Sequence, residues 1–562
     1  MSQNFPHHRG FIDTPRTSLY LLMLTSISAV LLILVNAVSS RMGVVKRVAV
    51  VGAGAGGLIT ADVLRGDGFE VVIYEREAYV GGVWKYRESA KDSPSTPMYR
   101  SLRTNLPKQI MSYSDAIPFK NSVPSFLSHQ EVQTYLEDFA ESRALLPLIK
   151  FESTVESISY THCSGDGALA SIGPSSPRSW RIIASSSPSI PATQNSLSDC
   201  VKSEEYFDAV IICNGHYNVP LIPDDQKIGK LSEFDGEIMH SVDYDTPDQF
   251  KGRSVLVVGS RSSGTDLARE ISSLASTVYV SDRSLNKEKS GLYQNIYLKP
   301  GISSLESRSL LNLYNLMSVT GVPLTSCTSD IDTIHSCSTD SRDRKGLVQF
   351  TDGSIVKVDV ILWCTGYAYD YPFLASNTED NSIDDVNYAT EFFSEEPKKC
   401  RLNTVKVTNK RKVDNLYQQV FSISHPTLSF IGLPYAVVPF PLFRLQASWI
   451  SSIYSGKQTL PSTKNQKDWL KKMENEILLR YEGNKEYAIE KFHYLGDLQW
   501  EYCRFLTNAA GITDEKQLKY IQMMEEIYND NSLSRPVYTG APDNYRNSEY
   551  SLDYDTLIWK KI

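Results

Sequence analysis

The sequence predicts an α/β fold built from two Rossmann-like units and followed by a helical C-terminal extension. Residues 47–75 and residues 254–283 each run from an apolar strand through a glycine-containing turn and a short helix into a second apolar strand. This order is typical of a βαβ unit in a parallel sheet. A chain of 562 residues also exceeds one ordinary domain, so we expect two packed domains with extensions.

Composition and charge restrict the classes of function that the chain can have. Hydrophobic residues make up 41% and charged residues 22% of the sequence, a profile typical of globular proteins. The net charge of -8 argues against a general nucleic-acid-binding protein. The 8 cysteines show no CxxC spacing, so we expect neither a zinc site nor a disulfide framework, and no metal ligand is assigned. Chemistry on a small molecule is therefore the default expectation.

The first 43 residues differ from the rest of the chain. No residue from 17 to 40 is charged, and the run 18–38 would be about 31 Å long as a helix, which is enough to span a bilayer. Small residues at 37–40 leave a cleaved signal peptide as the alternative. Arg41, Lys46 and Arg47 follow the run and favour a cytosolic body. We expect a membrane anchor, at the endoplasmic reticulum, with entry into the secretory pathway after cleavage as the alternative.

The turn GAGAGG in the first unit sets Gly52, Gly54 and Gly57 in a GxGxxG pattern between a strand and a helix. The first glycine permits a tight turn, the second lets a pyrophosphate approach the backbone, and the third allows close packing of helix on strand. The helix N-terminus presents its partial positive charge to the phosphates. Glu75 lies 23 positions after Gly52, where a carboxylate accepts the ribose hydroxyls. Together these features predict a dinucleotide-binding domain.

The turn GSRSSG in the second unit keeps only the outer glycines of this pattern. Gly259 and Gly264 match the first and third glycines, whereas Arg261 occupies the position of the second. Ser262 and Ser263 are predicted to cap the helix and to bind phosphate. We expect a second dinucleotide here, with Arg261 tilted outward or paired with the pyrophosphate. A purely structural copy of the turn is the alternative.

Several segments resemble the flavin-containing monooxygenases, which are class B flavoprotein monooxygenases. They are SLRTNLPKQIMSYSDAIPF (101–119), CNGHYNVPLIP (213–223), FDGEIMHSVDY (234–244), CTGYAYDYPFL (364–374) and FIGLPYAVVPFPLFRLQASW (430–449). The resemblance covers about residues 45–462 and is closest to the plant-type, S-oxygenating branch. The family fingerprint, FxGxxxHxxx followed by Tyr or Phe, is met by Phe234, Gly236, His240 and Tyr244. In this family, the Tyr244-Asp245 ending indicates heteroatom oxygenation and not Baeyer–Villiger chemistry. From the residues alone, His240 is interpreted as a structural residue that joins the two domains, with a direct redox role as the alternative.

The resemblance implies an FAD- and NADPH-dependent monooxygenase of the EC 1.14.13 type. In this family NADPH reduces FAD, dioxygen adds to give a C4a-hydroperoxyflavin, and a soft sulfur or nitrogen atom of a small molecule takes one oxygen, as in N,N-dimethylaniline monooxygenase activity. The flavin carries the difficult step, so no Ser-His-Asp or metal constellation is required. Asn105 matches the family asparagine beside the flavin, and its amide could donate a hydrogen bond there. A turn asparagine before Pro107 is the alternative.

The resemblance also implies further contacts with the two cofactors. It assigns cofactor binding to Gly82 and Trp84 of GGVW and to Thr365 and Gly366 of CTGY. Arg283, 24 positions after Gly259, matches the family arginine for the 2'-phosphate of NADPH. Asp282 stands where relatives have a neutral residue, and its carboxylate would repel that phosphate. We therefore expect NADPH with tolerance of NADH.

The predicted organisation is an FAD domain interrupted by an NADP domain. Its parts are an N-terminal tail (1–43), the FAD domain (44–220 and 353–463), the NADP domain (221–352) and a helical extension (464–562) in which no chemistry is expected. Two alternatives stay open, a catalytically silent membrane-attached flavoprotein and an auxin-type decarboxylating monooxygenase. A disulfide reductase is disfavoured, because no cysteine precedes residue 163.

Overall fold

The structure is a computed structural model. It describes residues 45–88, 96–161, 179–186, 201–223, 228, 231, 234–285, 289–293, 295–306, 346–374, 405–535 and 543–562. The predicted anchor at 18–38 lies outside these residues. Within the described ranges, no helix is both long enough and apolar enough to cross a bilayer.

Strands and helices are numbered in chain order. The strands are β1 (Arg47–Val51), β2 (Glu70–Tyr74), β3 (Ile149–Lys150), β4 (Ser153–Tyr160), β5 (Trp180–Ser186), β6 (Val201–Phe207), β7 (Ala209–Ile212), β8 (Val219–Pro220), β9 (Glu237–His240), β10 (Ser254–Val258), β11 (Thr277–Ser281), β12 (Lys289–Tyr293), β13 (Ile296–Lys299), β14 (Ile302–Glu306), β15 (Gly346–Phe350), β16 (Ile355–Val358), β17 (Val360–Trp363), β18 (Tyr367–Ala368), β19 (Val407–Thr408), β20 (Lys412–Val413), β21 (Leu416–Tyr417), β22 (Phe421–Ser422), β23 (Leu428–Phe430), β24 (Tyr550–Asp553) and β25 (Ile558–Lys561). The α-helices are α1 (Ala55–Gly66), α2 (Lys108–Met111), α3 (His129–Ser142), α4 (Ser262–Ser272), α5 (Pro439–Tyr454), α6 (Thr463–Arg480), α7 (Lys485–Glu490), α8 (Gln499–Ala509) and α9 (Glu515–Ser534).

The first sheet has the strand order β21-β22-β23-β7-β1-β2-β3. Its central strand β1 pairs in parallel with β2 and with β7. Alternate residues of β1 belong to different cores. Val48 and Val50 pack with helices α1 and α5, whereas Ala49 and Val51 pack with the small sheet β4-β5-β6. Because both faces are buried, the strand is apolar along most of its length.

The second sheet repeats this design with the order β12-β13-β11-β10-β17-β9. Strand β10 pairs in parallel with β11 and β17. Val255 and Val257 face helix α4, and Leu256 faces the antiparallel sheet β14-β15-β16. Each βαβ unit predicted from the sequence is therefore the centre of its own sheet.

The predicted return of the chain to the first domain at residue 353 is wrong. Strand β16 pairs with β15, and β17 pairs with β10 and β9 in the second sheet. The chain leaves that sheet only after Trp363. There β18 pairs with β8, so the outgoing and returning linkers between the two sheets are hydrogen-bonded to each other. Both sheets contain fully apolar strands, and periodicity does not say which sheet such a strand joins.

The C-terminal extension is helical through α9 but ends in the hairpin β24–β25, which the sequence analysis did not predict. Its side chains Tyr520, Ile521 and Met524 are buried in the same core as Val48 of β1. The Tyr550 backbone N–H donates to Ser125 Oγ at 2.8 Å. The extension is thus part of the first core.

Candidate active site

The first nucleotide turn has glycines where no side chain would fit. Gly52 has φ +103°, and a Cβ added there would lie 2.7 Å from the Cys213 carbonyl oxygen. A Cβ added at Gly57 would lie 1.8 Å from the Gly52 carbonyl oxygen. Strand, turn and helix α1 therefore approach one another more closely than any other residue would allow.

Polar groups that suit a dinucleotide surround this turn. Within the described chain no side chain caps helix α1 at Gly54, so its first N–H groups are left for a ligand. Glu75 is buried, and its carboxylate accepts hydrogen bonds from the N–H groups of Ala53 at 2.7 Å and Glu77 at 2.9 Å. Burial raises the pKa of Glu75, and the two N–H groups oppose that rise. A carboxylate held in this way keeps lone pairs for ribose hydroxyls.

The second turn has the same construction. Gly259 has φ +108°, and a Cβ there would lie 2.6 Å from the Cys364 carbonyl oxygen. A Cβ at Gly264 would lie 1.7 Å from the Gly259 carbonyl oxygen. Asp282 follows β11 as Glu75 follows β2, and its carboxylate accepts from Ser260 Oγ at 2.6 Å.

The middle position of the second turn does not need glycine's conformational freedom. Arg261 has φ -78° and ψ -174°, and Gly54 in the first turn has φ -73° and ψ -174°. Any L-residue adopts these angles. The Arg261 guanidinium carbon lies 5.0 Å from the centroid of the Tyr494 ring, in the C-terminal extension. The turn is therefore preserved although the motif is not.

The expected capping role of the two serines is wrong. Helix α4 begins at Ser262, so Arg261 is the N-cap residue, and among the described residues no side chain caps this helix. Ser262 and Ser263 belong to the first helical turn, where the Ncap geometry that the cap requires is absent. Both line the cleft described next.

Both turns open into one cleft with a volume of about 740 Å³. The predicted site residues that line it are Gly52, Gly54, Glu75, Gly82, Trp84, Asn105, Ser262 and Ser263. Those that lie elsewhere among the described residues are Gly57, Gly259 and Gly264, which pack the turns, together with Arg283, Thr365 and Gly366. The cleft thus brings together residues from both Rossmann-like units.

Thr365 and Gly366 lie in the returning linker between the two sheets. An Arg411 N–H donates to the Thr365 carbonyl at 2.8 Å, and His240 Nε2 lies 3.1 Å from the Gly366 carbonyl oxygen. The Val242 N–H donates to His240 Nδ1 at 3.2 Å, which assigns the ring proton to Nε2 and makes that nitrogen the donor to Gly366. Burial lowers the pKa of His240. These contacts make His240 a link between β9 and the linker.

The loop that carries Asn105 is held by the C-terminal extension. The Asn531 side-chain amide donates to the Asn105 carbonyl at 3.0 Å. Arg546 Nε donates to the Thr104 carbonyl at 2.9 Å, and an Arg103 N–H donates to the Arg546 carbonyl at 2.8 Å. The backbone beside Asn105 therefore depends on residues more than 400 positions away.

A buried ionic cluster connects this loop to the helix of the second turn. Arg546 is 5% exposed and donates to Asp266 Oδ2 of helix α4 at 2.7 Å. Asp266 also pairs with Arg269, and Asp543 pairs with both arginines. Arg546 and Asp266 line the cleft. The sequence analysis missed this cluster, because residues 280 positions apart leave no local pattern.

Aromatic and imidazole side chains that the sequence analysis did not assign also line the cleft. They include His216, Tyr217 and Tyr435. Burial lowers the pKa of His216 to about 4, so the ring is neutral at pH 7. The segment CNGHYNVP, which carries the family resemblance, contained the signal for His216 and Tyr217.

The described cysteines do not form a redox pair. Cys213, Cys364 and Cys503 are free thiols, and burial raises the pKa of each to about 12. In the ranges that the structure describes, His, Cys, Asp and Glu also form no cluster suited to a metal ion. The arrangement instead suits two nucleotides that meet in one cleft.

Comparisons with known proteins agree with this geometry. A family model described as flavin-binding monooxygenase-like matches residues 45–297. Flavin-containing monooxygenase FMO GS-OX-like 4 of Arabidopsis thaliana is 30% identical over 521 residues, which cover 89% of this chain and 93% of the relative. FMO GS-OX4 of the same plant is 32% identical over 486 residues, which cover 83% and 85%.

Two solved structures share the fold over nearly the whole chain. S-allyl-L-cysteine S-oxygenase from Allium sativum matches with a TM-score of 0.64 and 27% identity, covering 91% of this chain and 96% of its own. Tmm from Pelagibacter sp. strain HTCC7211 matches with a TM-score of 0.61 and 19% identity, covering 92% and 96%, and bears on the fold alone.

Proposed function

This chain belongs to the flavin-containing monooxygenase family, and on that premise we propose that its cleft oxygenates the sulfur atom of a small thioether. The protein is an FAD- and NADPH-dependent monooxygenase whose substrate offers a nucleophilic sulfur or nitrogen atom. We favour sulfur because S-allyl-L-cysteine S-oxygenase is similar across 91% of the chain at 27% identity.

The observation that carries this proposal is the opening of both nucleotide turns into one cleft of about 740 Å³. A hydride donor and a redox cofactor have to meet, and a shared cleft allows it. The reaction is R₂S + O₂ + NADPH + H⁺ → R₂SO + NADP⁺ + H₂O. Two electrons come from NADPH and two from the sulfur lone pair, and one oxygen atom leaves as water.

We assign FAD to the first turn and NADPH to the second. The Cβ-free approach at Gly52 and Gly57 fits a pyrophosphate against helix α1, and Glu75 offers acceptors for the ribose. Once bound, the flavin supplies the chemistry that activates dioxygen. Gly82 and Trp84 line the same cleft, and Ser262 and Ser263 line it at the second turn. We propose that these residues bind and orient the two cofactors.

Asn105 is our proposed catalytic residue. It lines the cleft, and its backbone is fixed through the carbonyl contact from Asn531. The neutral amide of Asn105 can donate a hydrogen bond to a cofactor or substrate in the cleft without adding charge there. Thr365 and Gly366 have the different role of positioning the returning linker through Arg411 and His240.

The proposal is tested with the FAD-loaded full chain, NADPH, ¹⁸O₂ and S-allyl-L-cysteine as the probe thioether. We expect one ¹⁸O atom in each sulfoxide and one NADPH oxidised for each sulfoxide formed. A dimethylaniline probe run in parallel reports N-oxygenation, and a faster reaction there would overturn the preference for sulfur. Absence of flavin reduction by NADPH would overturn the whole proposal.

The variant Asn105→Ala tests the catalytic assignment. We expect NADPH still to reduce the flavin, while the yield of sulfoxide per NADPH falls about tenfold or more, because a positioned hydrogen-bond donor is lost. Asn508→Ala, at an exposed position on α8, is the matched control. Equal sulfoxide yields from the two variants would remove Asn105 from catalysis.

Neither alternative from the sequence is favoured. Arg261 and Asp282 are the residues that favour a silent flavoprotein, but the Arg261 guanidinium lies over Tyr494 and the turn keeps its geometry. Auxin-type decarboxylation has no supporting observation beyond the shared family.

We also propose that residues 18–38 anchor the chain in a membrane, at the endoplasmic reticulum, with the body in the cytosol. The support is the uncharged run of 21 residues and the basic residues that follow it. Extraction of membranes with carbonate separates the possibilities. An anchored chain stays in the pellet, whereas a chain cleaved after residue 40 appears in the soluble fraction at a lower mass.

A further inference from the structure

A short segment of the C-terminal extension contacts two arginines of the second Rossmann-like unit, Arg261 in the turn and Arg283 after β11. The Arg261 guanidinium carbon lies 5.0 Å from the Tyr494 ring centroid. The Arg283 guanidinium donates to both carboxylate oxygens of Glu490 at 3.1 Å. Arg283 is the residue predicted to bind the 2'-phosphate of NADPH, and Glu490 occupies one donor nitrogen of that arginine, Nη2.

Glu490 is held firmly in this position. Its side chain is 20% exposed, and it also accepts a hydrogen bond from Lys491 Nζ at 2.8 Å. Burial acts to raise the pKa of Glu490, but Lys491 and Arg283 outweigh burial and lower that pKa to about 2. The carboxylate is therefore ionised at pH 7.

The surroundings of Glu490 carry more positive than negative charge. The charges of Arg261 and Arg283 both contribute to lowering the pKa of Lys491, after burial. Arg283 also contributes to lowering the pKa of Arg411, while Glu490 opposes that change. Lys491 thus lies within electrostatic reach of Arg261 and Arg283, and Arg411 lies within reach of Arg283 and Glu490. A carboxylate and a phosphate are both anions that these cations can bind, so one can replace the other there.

We propose that Glu490 is a specificity-determining residue, whose carboxylate occupies on Arg283 the position that the 2'-phosphate of NADPH takes. NADPH has to displace this carboxylate, whereas NADH leaves the ion pair with Arg283 intact. Glu490 therefore weakens NADPH binding relative to NADH and moderates the preference of the second site. The inference rests on the proposed NADPH site at the second turn.

The test measures binding to the oxidised, FAD-loaded full chain by titration calorimetry with NADP⁺, NAD⁺ and adenosine 2',5'-bisphosphate. In Glu490→Gln we expect the Kd of NADP⁺ and of the bisphosphate to fall about fivefold, as for an exposed ion pair, because Arg283 is 74% exposed. The Kd of NAD⁺ should change less than twofold. A higher Kd for NADP⁺, or equal shifts for both dinucleotides, would overturn the proposal.

Three further substitutions, one of them also combined with Glu490→Gln, keep the experiment decisive. Glu476→Gln, in the exposed ion pair with Lys472 on α6, is the matched control and should leave both dissociation constants unchanged. Arg283→Met should remove the advantage of NADP⁺ over NAD⁺ and abolish the effect of Glu490→Gln in the double variant. If Glu490→Gln does not fold, Glu490→Asp should change the NADP⁺ Kd in the same direction, because its carboxylate keeps the charge but is withdrawn from Arg283.

The readout separates this inference from the proposed function. Binding to oxidised enzyme needs no turnover, so the shift in the NADP⁺ Kd can appear even if sulfur oxygenation fails, and then only the proposed function falls. Sulfoxide formation with no shift in Glu490→Gln overturns only the inference. If NADP⁺ does not bind to the wild-type chain, the inference fails together with the second nucleotide site.

Discussion

Replacing Arg546 with methionine should weaken the fold and separate NADPH oxidation from oxygenation. The guanidinium connects three parts of the protein, helix α4 through Asp266, the loop before Asn105 through the Thr104 carbonyl, and the C-terminal extension itself. Methionine fills most of the volume without donating any hydrogen bond. The substitution therefore tests the charge and the hydrogen bonds more than the packing.

The size of the effect follows from what the substitution leaves behind. Removing one partner of a buried ion pair costs about 3–5 kcal/mol when the remaining charge has no other partner. Asp266 keeps Arg269, at 2.5 Å, and Asp543 is 40% exposed and solvated in part. We therefore expect a smaller loss, about 2–3 kcal/mol in the free energy of unfolding.

Urea unfolding of the FAD-loaded chain measures this loss, with Arg504→Met as the control. Arg504 forms an exposed pair with Glu525 and should contribute no more than about 1 kcal/mol. In parallel, the yield of sulfoxide per NADPH should fall in Arg546→Met, because the carbonyl next to Asn105 loses its donor. A midpoint shift no larger than that of Arg504→Met, with an unchanged yield, would refute the proposed role of the cluster.

Two further predictions concern the nucleotide turns and the buried histidine of the extension. Gly264→Ala should abolish NADP⁺ binding and leave FAD bound, because the added Cβ would lie 1.7 Å from the Gly259 carbonyl oxygen. Gly66→Ala is the control: a Cβ added there has no atom within 4 Å, so NADP⁺ binding should not change in the same titration. His493 accepts from the Val413 N–H at 2.9 Å, and burial lowers its pKa to about 3, so the unfolded chain binds the extra proton as the pH falls through about 6.5. The stability that neutral His493 contributes is present above that pH and is lost below it. Between pH 7.5 and pH 5, the free energy of unfolding should fall about 2 kcal/mol more in the wild type than in His493→Gln, and parallel urea curves would contradict this.

The parts of the fold that depend on neighbours in sequence could be predicted, and those that depend on distant partners could not. Strands β1 and β10 are short apolar runs next to glycine turns, so a local window contains all the information required. Strand β17 is equally apolar, but its partners β9 and β10 lie about 100 residues away, and the sequence analysis assigned it to the wrong domain. Its burial on both faces removes the alternation that would have distinguished the two sheets.

The contribution of the C-terminal extension to the candidate site also depends on distant partners and could not be predicted from the sequence. It was predicted to contain no chemistry, yet Glu490 contacts Arg283 across 207 positions and Arg546 contacts Asp266 across 280. Charged residues on a predicted helix are normally a solvated face, and nothing in their spacing distinguishes these from the others. The packing of the extension brings them together: Tyr545, next to Arg546, is buried in the first core, and Ala488, on the same helix as Glu490, packs with Ile477 and Phe492.

The comparison of the two turns explains why the incomplete motif was still informative. The backbone requires glycine at the outer positions of both turns. Gly52 and Gly259 have φ near +105°, and a Cβ added at Gly57 or Gly264 would collide with a carbonyl oxygen. The middle position does not require glycine, because Gly54 and Arg261 share backbone angles that every L-residue adopts. A glycine there serves the approach of the ligand, and its replacement changes what the ligand meets without changing the fold. The Arg261 guanidinium packs on the ring of Tyr494, so the C-terminal extension accommodates the side chain that replaces the glycine.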